Sequence, residues 1–151
     1  MKLYYYSRSH NSRRVLALIR HIGIEVELDH RELSKGEHRT PDITALNPNG
    51  LLPIFVDGDF VLFESNAIMQ YLADKYGPTE LYPADLNARA KVNQWLSWQM
   101  CHLSQTTGPY VFENLVKPLF DMGEPDMIRL DKVAVDFKKY VAALDNQLGQ
   151  Q

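Results

Sequence analysis

The spacing of apolar positions changes period several times along this chain, and each change marks an element. Residues 2–6, with three consecutive tyrosines, form an apolar and aromatic run that predicts a strand covered on both faces. The polar residues 7–12 read as a loop. From Arg13 the period becomes helical, with Val15, Leu18, Ile19 and Ile22 at i, i+3, i+4 and i+7, and Gly23 stands where a left-handed residue closes a helix. Residues 25–29 alternate as a strand does, so strand, helix and strand make a parallel unit. A charged loop over residues 34–39 leads to Thr40-Pro41, a cap followed by proline at the first helical position, and Asn47-Pro48 ends that short helix. Two short β-rich runs, residues 52–56 and 60–63, flank Asp57-Gly58 and predict a hairpin. Behind it Ala67, Ile68, Tyr71 and Leu72 share a helix face, with Ser65 at the N-cap position and Gly77-Pro78 at the end. The order is βαβαββα.

After a short linker, residues 78–83, everything reads helical, which predicts a first domain over 1–77 and a second over 84–151. Asp85 caps a long helix carrying Ala88, Val92, Trp95, Leu96, Gln99 and Leu103 as far as Gly108-Pro109, which should break or kink it. The helix resumes over residues 110–120, and Gly123-Glu124-Pro125 turns the chain. Residues 126–148 form a last amphipathic helix with Met127, Leu130, Phe137, Val141, Leu144 and Leu148 along one stripe, closed by Gly149 and read as core.

Composition narrows the function classes. With 45% hydrophobic residues in 151, the chain has enough apolar mass for a sizeable core. The net charge of -3, with no basic cluster interleaved with aromatics, argues against nucleic acid as a partner. No apolar run is long enough to span a bilayer and no leader of signal-peptide form is present, so no membrane partner and a cytoplasmic location are expected. The single cysteine, Cys101, fits a reducing compartment and reads as a small buried hydrophobe.

Three stretches carry polar chemistry. Pro53 would open a strand, where it forfeits a ladder hydrogen bond, so the strand's outer edge there should face something other than a neighbour. Glu64-Ser65 joins an acidic side chain to a hydroxyl at a helix N-terminus. Such a pair can hold the ammonium and the carboxylate of an amino-acid-like ligand, or Ser65 can simply cap the helix. Ser9-His10-Asn11-Ser12 precedes the first helix with hydroxyls and no thiol, so it can donate a hydrogen bond to a ligand's thiolate but cannot run disulfide exchange.

Asn47-Pro48, Leu52-Pro53-Ile54, Asp57-Gly58-Asp59 and Phe63-Glu64-Ser65-Asn66-Ala67-Ile68, in that order and spacing, resemble the motif chain of the glutathione S-transferases, above all the serine-type theta, delta and phi classes. Ser9 followed by Arg13, Arg14 and Val15 resembles their S-x-x-x-R and S-x-x-x-x-R-V motifs, although Asn11-Ser12 replaces the Pro-Cys usual in theta and delta enzymes. Tyr82-Pro83, Ala88-Arg89-Ala90 and Trp95-Leu96-Ser97-Trp98-Gln99 resemble the opening of the theta helical domain.

The resemblance implies an α/β thioredoxin-like N-terminal domain with a cis Leu52-Pro53 bond, followed by an all-α domain that is incomplete here, since family members continue with further helices. It implies Ser9 as the catalytic stabiliser of the glutathione thiolate, with Ser12 and Tyr6 as rivals. It implies His38, in Gly36-Glu37-His38, near the glycine end of glutathione, the Leu52 backbone against the cysteinyl residue, and Glu64 and Ser65 at the γ-glutamyl end. Gly50 and Leu51 supply no side-chain donor where many relatives have one. Lowering a thiol pKa from about 8.5 by roughly two pH units takes about 3 kcal/mol of preferential stabilisation. One charge-assisted hydrogen bond at roughly 1.5 to 3 kcal/mol and a helix N-terminus at up to ~1 kcal/mol suffice.

The implied reaction is attack of that thiolate on a small hydrophobic electrophile, with glutathione as co-substrate, no metal, no tightly held cofactor and a homodimeric assembly. Met100, Leu103, Tyr110 and Phe112 are candidates for the electrophile's pocket. The alternative is a non-catalytic binding or regulatory protein on the same fold.

Overall fold

The computed structural model describes residues 1–150 and contains two compact units, the first comprising Met1–Arg89 and the second beginning at Ala90. In the first unit β1 (Lys2–Tyr5), α1 (His10–Ile22), β2 (Glu27–His30), α2 (Pro41–Leu46), β3 (Ile54–Asp57), β4 (Phe60–Phe63) and α3 (Ser65–Tyr76) follow one another in the order the periodicity predicts. The sheet order is β2-β1-β3-β4, with β1 parallel to β2 and the other two pairs antiparallel, a thioredoxin-like arrangement. Leu3 and Phe55, paired across β1 and β3, are fully buried with Val15 and Ile19 of α1 and Ile68 and Leu72 of α3. Burying each such side chain is worth about 1.5–3 kcal/mol, which makes this cluster the main source of the unit's stability.

Local physics moves several boundaries. β1 stops at Tyr5, Tyr4 and Tyr5 are only half-buried, and the buried Tyr6 lies beyond the strand, so the run is not covered on both faces. α1 begins at His10 rather than Arg13, because Ser9 caps it and accepts the Ser12 amide. The charged loop folds into two 3₁₀ turns, Leu33–Lys35 and Glu37–Arg39, joined by Gly36 at φ 72°. Asp57 pairs with Phe60, so the hairpin turns through Gly58-Asp59. Pro53 precedes β3 instead of opening it, and the central ladder loses no donor. Ser65 is the first residue of α3, and the capping position belongs to Glu64.

The hairpin is fastened to α3 by one carboxylate oxygen. Asp57 Oδ2 accepts from Lys75 Nζ (2.7 Å), the Tyr71 hydroxyl (2.8 Å) and the Tyr76 hydroxyl (2.8 Å). Lys75 foremost, and then the two tyrosines, hold its pKa down at about 2. Residues 78–83 belong to the same unit, where Arg89 donates to the carbonyls of Tyr82 and Pro83 and pairs with Asp74.

Asp85 accepts the Ala88 amide (2.9 Å) at the start of α4 (Leu86–Trp98), and Asp126 does the same for Arg129 (3.0 Å) at the start of α7 (Met127–Leu148). Gly108-Pro109 does not break the helix: both lie inside α5 (Ser104–Val111), between π-helical turns at Gln99–Leu103 and Phe112–Val116 that precede α6 (Lys117–Leu119). A π turn inserts an extra residue and rotates the succeeding turns about the axis, so spacing counted from Ala88 misjudges the exposed side. Cys101, in the first π turn, is exposed rather than buried. Along α7 only Leu130 is buried, while Met127, Val141 and Leu148 of the expected core stripe are exposed, because among the described residues α7 packs chiefly on α5 and the π turn before it, which cover only part of its length. Glu113, 1% exposed, ties the second π turn to α7 by accepting from Lys117 Nζ (2.6 Å), the Asp126 amide (2.9 Å) and Arg129 Nη1 (3.1 Å), and these donors hold its pKa below the usual carboxylate range.

Candidate functional site

Within the first unit, the loop before β3 and the N-terminal ends of α1 and α3 bound a cleft of about 60 Å³. Leu52, Pro53, Glu64 and Ser65 line it together, and Asn11, Asn47 and Leu51 complete the lining. The Leu52-Pro53 bond is cis. Glu64 is held at φ 71° and ψ 112°, a conformation that an L side chain rarely adopts and that concentrates at functional positions. Its carboxylate is exposed while the neighbouring Ser65 is buried.

Two residues that sequence motifs do not assign a role hold this cleft in shape. Arg14 Nη2 donates to Asn11 Oδ1 (2.8 Å) and to Ser65 Oγ (2.5 Å), tying the starts of α1 and α3 together. Burial pulls the Arg14 pKa down from its ordinary value. Asn47, 2% exposed, donates from Nδ2 to the Leu51 carbonyl (2.9 Å) and accepts the Asn49 amide (3.1 Å), which folds residues 47–51 onto the cleft. Both had a signal. Arg14 sits beside Val15 and one turn before Leu18, on the flank of the apolar face, where a charge needs a partner, and Asn before Pro favours a side-chain-stabilised turn.

Ser9 stands outside that lining, two residues before Asn11. Its Oγ accepts the Ser12 amide (3.3 Å), and its hydroxyl proton has no acceptor among the described residues. Ser12 is fully buried and spends its oxygen on the Tyr6 amide (3.2 Å). The Tyr6 hydroxyl is buried without a partner, and burial above all raises its pKa. His38 does not line the cleft either. Its backbone packs on the adjoining turn, where a Cβ on Gly50 (φ 59°) would lie 3.4 Å from the His38 carbonyl oxygen. His38 Nδ1 is buried and unpartnered, and burial, then Arg39, lowers its pKa.

Chemically, two helix N-termini offer positive ends, Glu64 offers a carboxylate to an ammonium group, and Ser9 offers a free hydroxyl proton. No group of three or more potential metal-ligating side chains occurs among the described residues, and no described helix is long and apolar enough to cross a membrane.

Comparison with known proteins bears on the same stretch. The model of the family described as "Glutathione S-transferase, N-terminal domain" matches residues 1–74. Glutathione S-transferase 3 of Zea mays is 39% identical over 152 residues, an alignment covering 99% of this chain and 68% of the maize protein. Glutathione transferase F7 of Populus trichocarpa superposes with a TM-score of 0.89 at 30% identity, over 99% of this chain and 71% of that one. Human glutathione transferase theta-2, solved with glutathione and an unknown ligand, gives a TM-score of 0.85 at 32% identity, over 93% of this chain and 58% of that one.

Proposed function

Since the chain belongs to the glutathione S-transferase family, and so is a transferase with glutathione as co-substrate, we propose that it conjugates the glutathione thiolate to small hydrophobic electrophiles, with the Ser9 hydroxyl stabilising the thiolate. The observation that carries this reading is the unspent Ser9 hydroxyl proton at the N-terminus of α1. The two rivals are less suited to meet a ligand, because Ser12 is fully buried and committed to Tyr6, and the Tyr6 hydroxyl is buried.

In this reading Glu64 and Ser65 receive the γ-glutamyl end, with Arg14 orienting the Ser65 oxygen. The Leu52 main chain pairs with the cysteinyl residue as a short added strand, next to cis Pro53. His38 approaches the glycine carboxylate from the turn against Gly50. Glutathione's thiolate displaces a leaving group from the electrophile or adds to its activated double bond, and no metal or tightly held cofactor takes part. The protein works as a homodimer in the cytosol.

The position of Ser9 outside the cleft lining, with Gly50 and Leu51 offering no side-chain donor, favours a second reading: a non-catalytic member of the fold that binds a ligand without activating it. Conjugation of a generic aromatic halide separates them. Ser9→Ala is expected to lower kcat/KM by about 10- to 100-fold, the worth of one charge-assisted hydrogen bond. Folded wild-type protein without turnover sinks the transferase reading for that substrate class.

A further inference from the structure

His30, the last residue of β2, is built against the stretch of chain that leads to Ser9. Its ring stands edge-on to Tyr5, with centroids 5.3 Å apart and planes at 79°, and lies 5.6 Å from the Tyr6 ring at a tilt of 43°. His30 Nε2 shares a hydrogen bond with Ser7 Oγ (3.1 Å). One side chain of β2 therefore meets three successive residues of the neighbouring stretch, the last two of them beyond the end of β1.

Those residues run into the turn that presents Ser9. The Ser9 amide donates to the Tyr6 carbonyl (3.0 Å), which closes a four-residue turn with Ser7 and Arg8 at its corner. Its two ends are pinned to α1. The Tyr6 amide donates to the buried Ser12 Oγ (3.2 Å), and Ser9 accepts the Arg13 amide on its carbonyl (2.9 Å) and the Ser12 amide on its Oγ (3.3 Å). The corner is not preset by its own sequence, since it has neither a proline to fix φ nor a glycine to relax it. Among the described residues, the bond to His30 is the one side-chain hydrogen bond that reaches this corner. The Tyr6 hydroxyl is buried without a partner, so packing alone holds its ring, and His30 forms one wall of that packing.

A donor stabilises a thiolate only when its proton is aimed at the sulfur, because a hydrogen bond weakens steeply as it bends. The capping bond to Ser9 Oγ, at 3.3 Å, is longer than the usual value of about 2.9–3.0 Å and leaves that oxygen room to move. Movement of the corner would re-aim the Ser9 hydroxyl without disturbing the cleft, whose lining includes none of Tyr5, Tyr6, Ser7 and His30.

We propose that His30 is a positioning residue for the thiolate. By bonding Ser7 and packing on Tyr6 it fixes the turn over residues 6–9 and so aims the Ser9 hydroxyl at the glutathione sulfur. The inference rests on the reading of Ser9 as the thiolate stabiliser and adds a residue from a second strand, which acts through the turn and not on the ligand. An imidazolium at this place would also act on the thiolate through space, opposed by Glu32, whose carboxylate feels both His30 and Arg8, and the choice of variants separates the two effects.

The test titrates the thiolate absorbance of bound glutathione against pH in the whole chain, with glutathione affinity measured by calorimetry alongside. The proteins are the wild type, Ser9→Ala, Ser7→Ala, His30→Phe, His30→Gln and the pair Ser7→Ala, His30→Phe. Phe keeps the packing on Tyr5 and Tyr6 but loses the bond to Ser7, whereas Gln keeps a hydrogen-bonding group and loses the charge. Ser7→Ala and His30→Phe are each expected to raise the bound thiol's pKa by about 0.5 to 1 pH unit, the worth of one hydrogen bond, and the pair by no more than either alone. His30→Gln is expected to stay close to the wild type, and glutathione affinity to change less than about twofold throughout the His30 and Ser7 series. A thiol pKa that is lowered in the wild type and restored by Ser9→Ala, but unmoved by Ser7→Ala and His30→Phe, overturns the positioning role and leaves the Ser9 reading standing. Equal shifts in His30→Phe and His30→Gln with none in Ser7→Ala assign the effect to charge, and a loss of glutathione affinity that matches the pKa change assigns it to general loosening; either result overturns the proposal. A wild-type thiol pKa at the free value removes the Ser9 reading and this one with it.

Discussion

Ser9, Arg14 and His38 divide the work of the candidate site by what each has already spent. The Ser9 oxygen accepts one amide, yet its proton remains free, so the residue both starts α1 and keeps a donor for a ligand. His38 enters the unliganded state with a lowered pKa, burial being the larger cause and Arg39 the smaller. A glycine carboxylate docked beside it favours the imidazolium and raises that pKa. Binding then gains strength that is full below the free protein's value and disappears as pH rises through the bound value. The ratio of glutathione affinities, wild type over His38→Gln, is therefore expected to grow as pH falls from about 7.5 to 5.5, and calorimetry at several pH values checks it. A constant ratio removes His38 from the glycine end. The motifs made Leu52, Pro53, Glu64 and Ser65 legible because they follow one another in the chain around β3, β4 and the start of α3. Arg14 was less so, since its partner Ser65 lies 51 residues away and no local pattern reports that pairing.

Among the elements, the hairpin and α3 share a joint whose acid response follows from one group. Asp57 is held at about 2, below its ordinary 3.8, first by Lys75 and then by Tyr71 and Tyr76. A depressed carboxylate pKa in the folded state stabilises the fold above the unfolded value and loses that contribution as pH falls through the folded one. Asp57→Asn should thus be less stable than wild type at pH 7 in urea titrations, with the gap closing between about pH 4 and pH 2. A gap that persists at pH 2 contradicts the assignment. Element type was legible for β1, α1, β3, β4 and α3 because each buries a face on the Leu3–Phe55 cluster, and burial imposes the period, whereas the 3₁₀ turns of the charged loop bury nothing and left no pattern. The second unit was less legible. Two π turns shift the helical phase, and α7 leaves most of its stripe uncovered, so periodicity there no longer reports burial for Cys101, Met127 or Leu148.

At the scale of the whole molecule, the thioredoxin-like unit carries the cleft, and the helical unit adds exposed apolar residues such as Met100, Met122, Ile128 and Val135. Apolar exposure of this extent suits association, and light scattering on the chain is expected to report about twice its 17.4 kDa mass; a strictly monomeric mass at micromolar concentration contradicts the homodimer. Fold and family were legible because the motifs from Asn47 to Ile68 stand in one order and spacing in this chain, whereas the electrophile is not, since the apolar stripes of the later helices report packing. The central claim is that Ser9 lowers the pKa of bound glutathione's thiol, and thiolate absorbance titrated against pH with saturating glutathione tests it most directly. The wild type is expected to titrate about two pH units below the free thiol's ~8.5, and Ser9→Ala to return most of the way. Saturable binding with an unshifted thiol pKa in the wild type would contradict the transferase mechanism and leave the binding protein as the better reading.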